Sequence, residues 1–203
     1  MNRKITIKNI LISTLGTFFV STGIASLVNG SYGADTISTF LLGALNYIDL
    51  PFWLASMSFN VIILLLTFFV ERGQLGVGSF INGIGIGVML RFLNPLMSSL
   101  AANYSLYSIF AAFIGPIFIG IGGAVYISSG LGAAALEALT NLIDNRTSLT
   151  IKTIRMLLDG TLVLTGFLLG APIGIGTILG VILIGPVLEL TLKTIHRINL
   201  ATS

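Results

Sequence analysis

The chain has no cysteine and very few charged side chains. The absence of cysteine from all 203 residues excludes disulfides, thiolate nucleophiles and cysteine-ligated metals. Asp, Glu, Lys and Arg make up 8% of the residues, whereas about a quarter is usual in a soluble domain. A soluble protein of this length needs a charged shell, and 55% of this chain is hydrophobic. The composition therefore indicates a protein whose solvent is lipid.

Catalytic and ligand-binding motifs are also missing. The single histidine, His196, has no convergent partners of the kind that a histidine metal site needs. No partnered nucleophile and histidine occur, and the Gly-x-Gly segments lack the strand context and the lysine of a nucleotide loop. The basic residues stand at the ends of apolar runs rather than in one patch. We therefore expect no enzyme activity, no metal, no cofactor and no nucleic-acid partner.

Six apolar runs are long enough to cross a bilayer, which takes about 20 helical residues. They must be helices, because continuous apolar runs lack the alternation of a membrane barrel. Two less hydrophobic segments, 36–47 and 130–144, are predicted as short helices that are interfacial or re-enter the membrane. The predicted spans are 10–28, 51–70, 75–97, 107–127, 149–169 and 174–192.

Positive charges predict the orientation. With the N-terminus in the cytoplasm, the external loops carry Asp35 and Asp49 and no lysine or arginine. Both termini are then cytoplasmic. A signal peptide is the alternative for the first run, but its length and its internal copy favour a helix. The internal positive charges are Arg3, Lys4, Lys8, Arg72, Arg146, Lys193 and Arg197.

The two halves of the chain resemble each other at an offset of roughly 99 residues. The matches keep one register through four elements, which chance similarity of glycine-rich sequence does not explain. Each half has three spans, so the second half enters the membrane from the opposite face. We expect one membrane domain, 1–203, with inverted repeats at about 9–98 and 106–196. The matched pairs include Gly16 with Gly115, Gly23 with Gly122, Gly33 with Gly132, Asn60 with Asp159 and, after one deletion, Gly76 with Gly174 and Gly87 with Gly185.

Ionisable residues within the spans are the candidate solute- or ion-binding residues, because burying a charge in a bilayer costs about 2.5–3.5 kcal/mol. Asp159 lies deepest, and Arg155 stands four residues earlier on the same helical face. The pair either neutralises itself or binds a proton, cation or polar solute, with Asn60 at the repeat-related position. Arg91 either reaches to the outer interface or binds an anionic group.

Glycines on the spans predict close helix packing, since small residues let helix backbones approach each other in lipid. The same faces are also suited to a homodimer or to unwound backbone around a site. The packing glycines are Gly76, Gly78, Gly83, Gly87, Gly174, Gly176, Gly180 and Gly185.

The second half resembles the YczE/YyaS/YitT family of bacterial integral membrane proteins. The resemblance is carried by Ser129-Gly130-Leu131-Gly132-Ala133, by Ile154-Arg155 ahead of Asp159, and by Gly174-Ile175-Gly176-Thr177 leading to Ile184-Gly185-Pro186. It implies a multi-pass protein of the bacterial plasma membrane. Where family patterns have Gly-Pro-x-Asp, this chain has Ala133-Ala134-Ala135-Leu136.

These observations favour a permease for a small solute that works by alternating access between two inverted repeats. One alternative is a non-transporting membrane partner, either a chaperone or a regulator, that docks through its glycine faces. Another is the substrate-binding membrane subunit of an importer, against which the internal repeat argues.

Overall fold

All regular structure in the described part of the chain is helical. The computed structural model describes residues 5–104 and 106–201. Within them lie eight α-helices and one 3-10 turn at Arg72–Gln74, and no strand. The predicted all-α class is confirmed. The helices are α1 Ile7–Asn29, α2 Thr36–Ala44, α3 Phe52–Val70, α4 Val77–Asn103, α5 Tyr107–Ser128, α6 Ala135–Asp144, α7 Ile151–Leu168 and α8 Ile175–Ala201.

Five helices, α1, α3, α4, α5 and α8, are long and apolar enough to cross a membrane. They correspond to five of the six predicted spans. α7 has 18 residues but is the least apolar of the long helices, because it carries Lys152, Arg155 and Asp159. α4 and α8 run to 27 residues each, beyond the predicted ends of their spans, with Pro95 and Pro186 inside them.

α1 and α5 form the centre of the fold and cross antiparallel at paired glycines. A Cβ on Gly16 would lie 2.7 Å from the carbonyl oxygen of Gly122, and a Cβ on Gly122 equally close to that of Gly16. A Cβ on Gly23 would lie 2.5 Å from the Gly115 carbonyl oxygen. No side chain fits between these backbones, so glycine is what permits the crossing.

The other long helices pack on this central pair unequally. α4 lies against α1, and α8 lies against α5. α3 packs along α4, where a Cβ on Gly87 would come within 2.9 Å of the Trp53 carbonyl oxygen. α7 has no comparable packing on α8, and a Cβ on Gly185 would meet nothing within 4 Å. The fold is therefore closed between α3 and α4 and open between α7 and α8.

The loop before each short helix hydrogen-bonds the first turn of a long helix from the other half. The Tyr32 carbonyl accepts from the Gly176 amide at 2.7 Å, and the Leu131 carbonyl accepts from the Gly78 amide at 2.9 Å. The next glycine in each loop, Gly33 or Gly132, has a positive φ of 97° or 126°. A side chain there would be strained, which explains glycine at both positions.

The first short helix starts beside the middle of a long helix from the other half of the chain. α2 starts with Thr36 bonded to Asp159, halfway along α7. It ends near the C-terminus of α7, where the Asn46 side chain donates to the Leu169 carbonyl at 2.9 Å. α2 therefore runs from beside the middle of α7 to the end of α7.

Candidate functional site

The N-termini of α2 and α6 meet at a central cavity of about 160 Å³. Asp35 and Ser38 line it from the start of α2, and Ala134 and Glu137 line it from the start of α6. The remaining wall comes from the long helices: α1, α5 and α8 supply mostly apolar residues, and α3, α4 and α7 add Asn60, Asn82 and Arg155. A helix N-terminus carries about half a positive charge from its unpaired amides. Two such ends thus face one small, mostly apolar space.

Each of these helix ends is capped by a single carboxylate. Asp35 accepts a hydrogen bond from the Ser38 amide at 3.3 Å through Oδ2. Glu137 accepts one from the Ala134 amide at 3.3 Å through Oε2. The predicted repeat offset aligns Asp35 with Ala134 and Ser38 with Glu137. The carboxylate of the first half thus stands at the N-cap position, whereas that of the second half stands three residues later, at N3.

One carboxylate oxygen in the cavity has no partner. Asp35 is 9% exposed, and its Oδ1 atom is buried without a hydrogen bond to any described residue. An unpaired charged oxygen in such a place is costly, since burial without compensation disfavours the charged form. Asp35 therefore needs a proton or a cation beside it.

The predicted Arg155–Asp159 pair is formed, and it is also tied to α2. Arg155 Nε lies 2.9 Å from Asp159 Oδ2, and the Thr36 hydroxyl donates to Asp159 Oδ1 at 2.9 Å. The Arg155 and Asp159 side chains are 42% and 24% exposed. The pair neutralises itself while remaining open to a groove. Whether it also binds a solute stays a prediction.

Asn60 lies on the α3 side of the cavity. It is buried, and its amide donates to the Ser56 carbonyl of its own helix at 2.9 Å rather than to Asp159. Beside it, the Asn82 amide donates to the Thr17 hydroxyl at 3.2 Å, which joins α4 to α1. Asn60 and Arg155 line the same cavity, whereas Asp159 lies just outside it.

Arg91 stands apart from this cluster. It lines neither the cavity nor the groove, and it is exposed on α4. Its guanidinium carbon lies 5.1 Å from the centroid of the Trp53 ring, within range of a cation–π contact. The structure thus places Arg91 away from the other three predicted site residues.

A wide groove of about 900 Å³ separates α7 from α8 and reaches the cavity. Asp159, Met156 and Gly160 line it from α7, and Gly185 lines it from α8. Groove and cavity share several lining residues: Thr36, Glu137, Arg155, Ile184 and Leu188. A solute in the groove would therefore reach the cavity past the Arg155–Asp159 pair.

The predicted packing glycines fall into three groups. A Cβ on Gly76 or Gly78 would strike Leu131, and one on Gly174 or Gly176 would approach the 32–33 loop, so these four are loop-contact positions. Gly83 packs on Leu64 and Gly87 on Met57, as helix-packing positions do. A Cβ on Gly180 would be 3.8 Å from the Asp35 Cα, an ordinary contact, whereas Gly185 faces the open groove.

Asp35 and Glu137 are the cavity residues that sequence reasoning left without a role. Asp35 is predicted to lie in an external loop, and the structure shows that its side chain is buried near the start of α8, with its Cα near Gly180. The available signal was local. Each acid stands within three residues of a helix start. Asp35 directly follows Gly33-Ala34, and Glu137 stands four residues after Gly132-Ala133.

The site contains no obvious place for a metal, since the described residues hold no group of three or more His, Asp and Glu side chains arranged to bind one. The cavity instead combines aliphatic walls with a few polar groups, as small-molecule sites do.

Comparison with known proteins relates most of the chain to uncharacterised proteins, one of which is named as a membrane protein. Residues 7–193 match the sequence profile of a family of unknown function, DUF6198. The chain is 27% identical to the uncharacterized membrane protein YczE of Bacillus subtilis over 190 residues, covering 93% of this chain and 87% of YczE. It is 27% identical to the uncharacterized protein YyaS of the same organism over 187 residues, covering 90% and 92%. An uncharacterized Haemophilus influenzae protein is 33% identical over 125 residues, covering 62% and 56%. No solved structure matches the chain.

Proposed function

We propose that this chain, which belongs to the DUF6198 family of unknown function, is a membrane permease for a small solute. The proposal is based on the chain's own cavity, because the family has no assigned activity. The solute would occupy the cavity between the starts of α2 and α6, close to the middle of the membrane. Five apolar helices and a relative named as a membrane protein support the membrane location. We further propose the bacterial plasma membrane, with both termini in the cytoplasm.

We propose that the two halves are inverted repeats, with α7 as the sixth span. Reciprocal contacts support this arrangement. Gly16 packs on Gly122, which is the repeat counterpart of Gly23, and Gly23 packs on Gly115, which is the repeat counterpart of Gly16. The 32–33 loop holds the start of α8 as the 131–132 loop holds the start of α4. Transporters built from inverted repeats bind solute at the interface between them, near discontinuous helices.

The observation that carries the proposal is a difference between two repeat-related places. Met57 of α3 packs against Gly87 of α4, which closes that side. Their counterparts are Met156, 65% exposed, and Gly185, whose missing side chain faces open space in the groove. One sequence pattern is thus held in a closed and an open form in one molecule. Exchanging the two forms would expose the cavity to the other membrane face, which is alternating access.

The test uses this open position to block closure. Gly185→Leu should fold as the wild type does, because nothing lies within 4 Å of the added Cβ. It should nevertheless prevent Met156 and α7 from closing on α8. Purified protein in liposomes is screened with radiolabelled small solutes, and Gly185→Leu should reduce uptake of any transported solute by at least about tenfold, as expected when one state becomes inaccessible.

Gly73→Leu is the matched control, since Gly73 also has nothing within 4 Å and lies in the turn outside the groove. It should transport like the wild type. Asp159→Asn, which weakens the pair on the solute's path, should also lower uptake. The permease proposal fails if no solute in a broad screen crosses, or if Gly185→Leu transports at the wild-type rate.

A further inference from the structure

The cavity has an excess of negative charge that its own residues do not balance. Asp35 and Glu137 each bring one carboxylate, and the two helix ends together offset about one charge. Arg155 is bound to Asp159, so that pair adds no net charge. About one negative charge remains in a largely apolar space, where an unbalanced charge is strongly disfavoured.

The excess charge is concentrated at Asp35. Arg155 acts electrostatically on Glu137, whereas the charged neighbour of Asp35 is another carboxylate, Asp159. Oδ1 of Asp35 is a fully buried cavity oxygen without a hydrogen bond among the described residues. The other elements lining the cavity next to Asp35 add no cation: α3 and α4 present Asn60 and Asn82, and α5 presents Tyr126. α8 presents aliphatic side chains.

We propose that this cavity binds a small monovalent organic cation, with the carboxylate of Asp35 as its counter-ion, in exchange for a proton. The proposal rests on the permease function and names its substrate class. When the cation leaves, one proton binds Asp35 Oδ1, so each exchange conserves charge. The volume of about 160 Å³ fits a body near the size of benzene, which occupies a cavity of about 150 Å³ in another protein.

An organic cation suits this lining better than a metal ion does. A metal ion needs several oxygen ligands to replace its water shell, and the described residues offer no such group of acids and histidines. An alkylated ammonium or a guanidinium is weakly hydrated and packs against aliphatic walls such as Ile24, Ile86 and Ile184. It still brings the single positive charge that neutralises the Asp35 carboxylate.

The experiment measures binding to the purified full-length protein in detergent by calorimetry. Tetramethylammonium and guanidinium are compared with their neutral counterparts of similar shape, tert-butyl alcohol and urea. We expect the cations to bind and the neutral molecules not to. Affinity should rise with pH, because the cation meets less competition from the proton at Asp35 as the pH increases. In weakly buffered solution, binding should release roughly one proton per cation.

Asp35→Asn should weaken cation binding by about 10- to 100-fold, the usual value of a charged hydrogen bond, and should abolish proton release. Asparagine caps a helix about as well as aspartate, so α2 should still form. Asp35→Ser serves as a second capping variant. Asp49→Asn, at an exposed loop position, is the matched control and should bind like the wild type.

The outcomes separate the two proposals. The inference is overturned if neither cation binds, if the neutral molecules bind as well as the cations, or if Asp35→Asn binds cations with unchanged affinity. The permease proposal is judged separately, by flux in liposomes. If neutral solutes are transported and the Asp35→Asn variant is fully active, the cation proposal is wrong and the permease proposal is supported. If cations bind but no solute is transported, the cation site is supported and the permease proposal is wrong.

Discussion

Thr36 donates a hydrogen bond to Asp159 at 2.9 Å, across 123 positions of sequence. This contact joins the start of a short helix to the middle of α7, the least apolar of the long helices. It also fixes the second oxygen of a carboxylate whose first oxygen is held by Arg155. The deepest acid predicted from the sequence is therefore also the attachment point of α2.

Thr36→Val removes this hydrogen bond while keeping the shape of the side chain. Asp159 retains Arg155, so we expect a loss of about 1.5–3 kcal/mol in the free energy of unfolding, the range for a hydrogen bond to a charged group. Thr36→Ser keeps the hydroxyl and should retain most of the stability. Thermal unfolding in detergent measures both. Equal melting of Thr36→Val and the wild type would show that the contact does not hold α2.

Gly166→Ala tests the close approach of α2 to α7. A Cβ at Gly166 would lie 2.5 Å from the Thr39 carbonyl oxygen, so the helices must separate, at a cost of about 1–3 kcal/mol. Gly160→Ala is the control on the same helix, with nothing within 4 Å, and should be neutral or stabilising by up to about 1 kcal/mol. The same melting measurement should therefore give opposite signs. Two similar shifts would contradict the packing.

Thr177→Val tests the seam between the 32–34 loop and the start of α8. The Ala34 amide donates to the buried Thr177 hydroxyl at 3.1 Å. Valine would leave that amide unsatisfied and should destabilise the protein by about 1–3 kcal/mol. Thr177→Ser restores the acceptor and should recover most of the loss. If valine and serine melt alike, the hydroxyl contributes packing alone.

The topology prediction tests whether α7 crosses the membrane. With α7 as a sixth span, both termini lie in the cytoplasm, and with the five apolar helices alone they lie on opposite sides. Fusions of a reporter that fluoresces only in the cytoplasm are made at each end. Fluorescence from both fusions is expected. Fluorescence from one fusion only would exclude the six-span arrangement.

The sequence predicted the helical class and the positions of the long helices because lipid imposes a strong, local requirement. Every backbone polar group must be satisfied within its own segment, so a long apolar run can only be a helix. α1, α3 and α5 accordingly begin and end within about three residues of their predicted spans, within the usual uncertainty of helix ends. The Arg155–Asp159 pair was equally predictable, since a spacing of four residues on one helix brings side chains together.

The composition of the cavity was less predictable, because it depends on which loops descend between the long helices. Asp35 has the polarity and the flanking glycine of a loop residue, and nothing nearby in the sequence says that Tyr32 will bond to Gly176. Arg91 and Asn60 show the same limit. Both sit in apolar spans, yet one contacts Trp53 on the outside and the other faces the cavity.

The sequence by itself determined that this protein is helical and suited to lipid, and it predicted two similar halves, since apolar length and internal similarity are properties of the chain alone. Only the tertiary structure decided that Asp35 and Glu137 face one cavity, and that Gly185 is open where Gly87 is closed. The physical reason is that helix propensity and lipid solvation act on each segment separately. The relative placement of the two halves depends instead on contacts between residues about 100 positions apart.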